Sequence, residues 1–174
     1  MVPPGPGHYP RRPMPEVLIV SDAPWVHDEV KASLSDPGVH VRELHEGREV
    51  LPALRERLAD LVILDLQIGN MGGMATCLDV RLEEGAGRLP HVPVLMLLDR
   101  EADVFLARRS GAEGWVFKPL DSLGLRRAIQ TVLDGGTYPG GTTRSNTGPM
   151  VETPYVPTPD STAPVPGPAA GEVR

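Results

Sequence analysis

Short apolar segments alternate with helical patterns five times along the middle of the chain, and this alternation restricts the fold more than any other feature. Continuous apolar runs at residues 17–20 and 61–64 are typical of strands that are buried on both faces. Further strands are predicted at residues 39–44, 92–98 and 115–117. The first of these three alternates apolar and polar side chains, which favours an edge or half-exposed position in a sheet.

Each predicted strand is followed by a segment whose apolar residues repeat every three or four positions, as on one face of a helix. In the third helix we expect Leu78 and Leu82 to point inward, and the fourth helix is predicted at residues 101–110. The last helix has the clearest apolar face, formed by Leu125, Ala128, Ile129, Val132 and Leu133. Five βα units imply an α/β fold, a doubly wound five-stranded parallel sheet with helices on both faces.

Proline and glycine mark both ends of the 174-residue chain as segments that cannot bury a core. Residues 1–15 hold 6 of the 20 prolines, and residues 135–174 hold 8 prolines and 7 glycines. We therefore predict a disordered N-terminal segment, one globular domain at residues 16–134 and a disordered tail. The tail has no helical period for a DNA-binding domain, so we expect a stand-alone domain with output by docking. Residues 153–159 suit either a polyproline II ligand or plain disorder.

The charge and the apolar runs exclude several classes of protein. Residues 16–134 hold 13 basic and 20 acidic residues, which excludes a general attraction for nucleic acid or an anionic membrane. No apolar run reaches the roughly 18–20 residues of a membrane helix, and the N-terminus lacks a signal-peptide core. The single cysteine, Cys77, fits a reducing compartment. We expect a cytoplasmic protein that binds neither nucleic acid directly nor membranes.

The residues that follow the parallel strands lie at one rim of the predicted sheet. They are Ser21, Asp22, Asp65, Leu98, Asp99 and Lys118. Two acids, Asp22 and Asp65, and one of only two lysines are therefore expected to converge there, whereas we interpret Asp99 as a helix N-cap. The five histidines do not have the spacing of metal ligands, and we interpret them as surface or loop residues.

Three motifs stand at the ends of the first, third and fifth predicted strands, LIVSDAP, LVILDLQIGNMGG and GAEGWVFKP. Together they resemble the receiver domain of two-component response regulators, and the likeness covers residues 16–134. LIVSDAP is similar to the first strand of that family with its acidic pair, and LVILDLQIGNMGG to its phosphoacceptor strand and following loop. GAEGWVFKP is similar to its fifth strand with a Lys-Pro pair. The resemblance implies a flavodoxin-like receiver fold and a signalling module rather than an enzyme.

The resemblance also implies roles for individual residues. Asp65 would accept a phosphoryl group from a histidine kinase or another phosphodonor, and Lys118 would pair first with its carboxylate and then with the phosphoryl group. Weakly bound Mg²⁺ would be held by Asp22, Asp65 and the backbone carbonyl of Gln67. The peptide bond between Lys118 and Pro119 is expected to be cis. The fourth helix, fifth strand and fifth helix are expected to form a partner or homodimer face.

Two positions depart from the family pattern. Ser21 replaces the first of two carboxylates, which lowers the charge available to Mg²⁺. Leu98 replaces a serine or threonine whose hydroxyl follows the phosphoryl group, and leucine has no donor. The sequence therefore leaves two functions open, a phosphoacceptor in a phosphorelay and a phosphorylation-independent pseudo-receiver that acts as an interaction module. A haloacid-dehalogenase-type phosphatase is disfavoured because Gln67 stands where that class needs a second aspartate.

Overall fold

The computed structural model describes residues 14–34 and 38–140. Within these ranges, strands and helices alternate along the chain. The strands are β1 (Glu16–Val20), β2 (His40–Leu44), β3 (Leu61–Asp65), β4 (Val94–Leu98) and β5 (Gly114–Phe117). The helices are α1 (Pro24–Ser33), α2 (Val50–Glu56), α3 (Gly73–Gly85), α4 (Val104–Ser110) and α5 (Ser122–Leu133), with single 3-10 turns at Gly47–Glu49 and Glu101–Asp103.

The five strands form one parallel sheet in the order β2-β1-β3-β4-β5. Apolar side chains pack on both faces, since Leu18 and Val62 contribute to one buried cluster and Ile19 and Ile63 to the other. The doubly wound architecture is therefore confirmed. Strand β2 is a partly exposed edge, as its alternating pattern predicted. None of the helices in the described ranges combines the length and the apolar character that a membrane crossing requires.

Helix α3 presents a different face to the sheet from the one expected. Leu78 and Leu82 are 38% and 67% exposed, so the prediction that they point inward is wrong. Gly73 lies so close to the end of β3 that a Cβ atom there would clash with the Asp65 carbonyl oxygen. This contact fixes the rotation of the helix, and the positions three, four and seven residues later face inward. Those positions are Thr76, Cys77 and Val80, all buried.

The chain continues past α5 along the free edge of β5. The backbone N–H of Tyr138 donates to the Glu113 carbonyl at 2.9 Å, and the N–H of Trp115 donates to the Tyr138 carbonyl at 3.1 Å. The structure thus differs from the predicted boundary at residue 134, because the segment after α5 pairs with the sheet. The predicted disorder of the two ends otherwise falls on residues 1–13 and 141–174, which lie outside the described residues.

Candidate functional site

The carboxyl ends of β1, β3 and β5 bring three side chains into direct contact. Asp65, the last residue of β3, is 2% exposed. Lys118 Nζ donates to Asp65 Oδ1 at 3.0 Å, and Ser21 Oγ donates to Asp65 Oδ2 at 2.8 Å. The backbone N–H of Gln67 also donates to Oδ1, at 3.1 Å. Both carboxylate oxygens of Asp65 are therefore paired, and two predicted site residues that are distant in the chain, Asp65 and Lys118, are in contact.

The register of the sheet explains the contact between Ser21 and Asp65. Val20 of β1 pairs with Leu64 of β3, and the next residue of each chain segment is Ser21 or Asp65. Residues that directly follow a paired position on two neighbouring parallel strands lie side by side. The serine hydroxyl is thus placed by the strand pairing and needs no special loop conformation to reach the carboxylate.

Asp99 is a second partner of Lys118. Leu98 of β4 pairs with Phe117 of β5, so the residues that follow them are neighbours in the same way. Lys118 Nζ lies 3.0 Å from Asp99 Oδ2. The interpretation of Asp99 as a helix N-cap is wrong, because Arg100 takes that position before the 3-10 turn. The sequence predicts the position of Asp99 at this rim correctly, but it does not predict the ion pair with Lys118.

Lys118 keeps its positive charge although its side chain is only 9% exposed. Burial acts to lower the pKa of Lys118, but the hydrogen bonds to Asp65 and Asp99 outweigh burial and hold the pKa above the ordinary lysine value. The ammonium also lies 5.8 Å from the ring centroid of Trp25, a half-exposed side chain at the same rim. Sequence reasoning gave Trp25 no role at this site.

The backbone at the end of β4 anchors the lysine, while the side chain there adds nothing polar. The N–H of Lys118 donates to the Leu98 carbonyl at 2.8 Å. The Leu98 side chain is fully buried in the apolar core. The Lys118–Pro119 peptide bond is cis, as the resemblance implied.

Asp22 stands at the exposed side of the rim. Its Oδ2 accepts a hydrogen bond from the Gly69 N–H at 2.9 Å, which ties the loop after β3 to the end of β1. Among residues 14–34 and 38–140, no group of three or more His, Cys, Asp or Glu side chains is arranged to hold a metal ion. The predicted ligands, Asp22, Asp65 and the carbonyl of Gln67, are all oxygen donors, which fits Mg²⁺. Two carboxylates nevertheless offer little charge to the ion.

His27 is buried behind Ser21, so its interpretation as a surface or loop residue is wrong. The side chain is 2% exposed. Its Nε2 lies 2.7 Å from the Ser21 carbonyl oxygen, and its Nδ1 lies 3.1 Å from Glu43 Oε2. The imidazole is thus buried between the residue that follows β1 and a side chain of β2, and its contact with the Ser21 carbonyl holds the backbone that carries the serine hydroxyl.

The fold and this rim define a member of a known class, and the chain belongs to the response regulator receiver domain family, whose model matches residues 17–130. Receiver domains work in two-component signalling. The chain is 30% identical over 125 residues to the transcriptional regulatory protein AfsQ1 of Streptomyces coelicolor, which covers 71% of this chain and 53% of that protein.

A second curated relative is the DNA-binding response regulator MtrA of Mycolicibacterium smegmatis. It is 33% identical over 105 residues, which is 59% of this chain and 43% of MtrA. The chain thus spans about half the length of the curated relatives it matches.

Solved structures show the same fold. The chemotaxis response regulator CheY4 of Vibrio cholerae superposes with a TM-score of 0.61 at 28% identity, covering 68% of this chain and 98% of CheY4. A LuxR-family two-component response regulator from Aurantimonas has a TM-score of 0.63 at 26% identity, covering 72% of this chain and 89% of the other. The predicted flavodoxin-like receiver fold is therefore confirmed.

Proposed function

We propose that the chain acts as a response regulator receiver domain in a phosphorelay, with Asp65 as the phosphoacceptor and with output by docking to another protein. The observation that carries this proposal is the buried Asp65 carboxylate held by the Lys118 ammonium at 3.0 Å and by the Ser21 hydroxyl at 2.8 Å. A carboxylate fixed beside a cation at a rim of the sheet suits nucleophilic attack on a phosphoryl donor.

In the proposed reaction, one Asp65 oxygen forms a bond to phosphorus while the bond from phosphorus to the donor's leaving group breaks. With a phosphohistidine donor, the electron pair of the broken P–N bond stays on the imidazole nitrogen, which then takes up a proton from water. The product is an acyl phosphate on Asp65. Lys118 remains beside Asp65 and stabilises the negative charge of the transferred phosphoryl group.

Asp22, Asp65 and the backbone carbonyl of Gln67 are the groups that would hold Mg²⁺. A bound Mg²⁺ neutralises negative charge on the phosphoryl oxygens. Ser21 provides a hydroxyl where the family pattern has a second carboxylate beside Asp22. Since affinity for this cation follows the charge of its ligands, we propose that Mg²⁺ binding is weak.

The proposed partners are a histidine kinase or another phosphodonor, together with a downstream protein. The face formed by α4, β5 and α5 is the proposed docking or homodimer face, and it carries the exposed apolar side chains Phe105 and Leu123, which are 64% and 60% exposed. A cytoplasmic location without direct contact to nucleic acid or membrane is part of this proposal. The acidic balance of residues 16–134 supports it.

A phosphorylation-independent pseudo-receiver is the second candidate, and Leu98 favours it. Its side chain is fully buried and apolar at the position where the family pattern has a hydroxyl. A phosphoryl group on Asp65 would therefore find no hydroxyl donor at residue 98 to follow it. In this alternative, the same docking face works without any covalent change.

Intact-mass spectrometry after incubation of the full chain with acetyl phosphate and Mg²⁺ separates the two candidates. The phosphoacceptor proposal expects one added phosphoryl group, lost in Asp65→Asn and kept in Asp79→Asn. Asp79 is a matched control because it lies on α3, outside the site. If the wild type gains no phosphoryl group at any Mg²⁺ concentration, the phosphoacceptor proposal fails and the pseudo-receiver is supported.

A further inference from the structure

Lys118 is shared between an inner and an outer carboxylate. Asp65 is 2% exposed and the Asp99 side chain is 42% exposed, yet Lys118 Nζ lies 3.0 Å from an oxygen of each. The neighbouring cation, Arg100, donates instead to both oxygens of Asp103, at 3.1 Å each. Among the described residues, Lys118 is therefore the cation that forms the ion pair with Asp99.

The sheet fixes this arrangement. Leu98 and Phe117 are paired at the ends of β4 and β5, and the N–H of Lys118 donates to the Leu98 carbonyl at 2.8 Å. The Cα atoms of Asp99 and Lys118 are thus held as neighbours by backbone pairing rather than by a flexible loop. The pairing of β4 with β5 therefore keeps both carboxylates beside the Lys118 ammonium.

A phosphoryl group on Asp65 needs the same ammonium. A lysine ammonium is a compact charge with three N–H donors, and both carboxylates already engage it. The transferred group carries about −1.5 to −2 charge, as other protein phosphates do. Asp99 therefore competes for the lysine and also repels the incoming anion, since like charges a few ångströms apart disfavour each other.

We infer that Asp99 is an electrostatic gate, an anionic partner of Lys118 that competes with the phosphoryl group and slows its transfer to Asp65. This inference rests on the proposed function and names Asp99 as a residue that sets the rate of phosphoryl transfer to Asp65. Asp99 is a positioning residue, because it acts through Lys118. Its carboxylate is exposed to solvent, whereas that of Asp65 is buried.

The test compares rates of phosphorylation by acetyl phosphate at saturating Mg²⁺. Asp99→Asn keeps the shape of the side chain without its charge, and it is expected to raise the rate about tenfold, equivalent to about 1.4 kcal/mol in the barrier. Asp99→Glu keeps the charge and is expected to keep the slow rate. Glu101→Gln removes an exposed charge two residues away and is expected to change the rate by less than about twofold, because solvent screens it.

Binding of beryllofluoride, a phosphoryl analogue that is not transferred, gives a second readout. In a Trp115→Phe background, Trp25 fluorescence reports on the rim, since its ring lies 5.8 Å from Lys118 Nζ. Asp99→Asn is expected to bind beryllofluoride about tenfold more tightly at a given Mg²⁺ concentration, because one repelling charge is removed.

The outcomes separate this inference from the proposed function. Equal rates and equal beryllofluoride affinities in the wild type and Asp99→Asn overturn the gate and leave the phosphoacceptor proposal in place. The gate is also overturned if Asp99→Glu is fast or if Glu101→Gln is as fast as Asp99→Asn. If no variant, Asp99→Asn included, gains a phosphoryl group or binds beryllofluoride, both proposals are overturned.

Discussion

Ser21 donates its hydroxyl to Oδ2 of Asp65 across 2.8 Å, at a place where neither residue is more than 2% exposed. A buried carboxylate oxygen without a donor is costly, and this hydrogen bond removes that cost. A second carboxylate at residue 21 would instead place two negative charges side by side. The serine therefore stabilises the metal-free domain while it withholds a charge from Mg²⁺.

Ser21→Asp is expected to lower the free energy of unfolding by about 2 kcal/mol without Mg²⁺, because it removes a buried hydrogen bond and adds a like charge next to Asp65. Mg²⁺ is expected to restore most of this loss by binding between the carboxylates. Urea unfolding followed by circular dichroism, with and without Mg²⁺, measures both effects. Ser110→Asp is the matched control, a buried serine at the end of α4 whose replacement Mg²⁺ should not rescue. Equal Mg²⁺ dependence in both variants would contradict the prediction.

Lys118→Met is expected to lower the free energy of unfolding by about 2–3 kcal/mol, because it leaves the Asp65 carboxylate buried without its cation. The double variant with Asp65→Asn is expected to recover most of that stability, since the unpaired charge is then gone. Lys31→Met serves as the control, because that lysine is exposed and its ion pair with Glu43 contributes little. Denaturant unfolding measures all four proteins, and a Lys118→Met variant as stable as the wild type would rule the prediction out.

We expect His91 to make the free energy of unfolding depend on pH, independently of the candidate site residues at the rim. Hydrogen bonds to Glu113 and Glu84 raise the pKa of His91 to about 9 in the folded chain. Since this value lies above the unfolded value of 6.5, the stabilisation is complete below pH 6.5 and is lost as the pH rises through about 9. The side chain is 47% exposed, so solvent limits the effect to about 1 kcal/mol.

The measurement for His91 is the free energy of unfolding across that pH range in the wild type and in His91→Gln. The wild type is expected to lose stability relative to the variant as the pH rises, because glutamine does not titrate. Parallel curves for the two proteins would show that His91 does not contribute in this way.

Most of the fold could be predicted from the sequence, because buried parallel strands produce continuous apolar runs and βα alternation implies that the strands are parallel. The face that α3 presents to the sheet could not be predicted in this way. Its rotation is set by the close approach of Gly73 to the backbone at Asp65, which is a tertiary contact. The apolar residues Leu78 and Leu82 gave a misleading period, while the inward face includes the polar Thr76.

Part of the candidate site could also be predicted from the sequence. Asp65 and Lys118 could be placed together because the carboxyl ends of parallel strands share one rim. The partner of Asp99 could not be predicted from local sequence, since it depends on the register of β4 against β5. His27 was missed for a similar reason, because its burial depends on contacts with Ser21, which follows β1, and with Glu43 of β2.

Direct location of the phosphoryl group is the decisive measurement for the phosphoacceptor proposal. The full chain is treated with acetyl phosphate and Mg²⁺, then with borohydride, which reduces an aspartyl phosphate to homoserine, and peptides are sequenced by mass spectrometry. Homoserine at position 65 and at no other aspartate is the expected result. Homoserine at Asp22 or Asp99 instead, or at no position, would contradict the assignment of Asp65 as the phosphoacceptor.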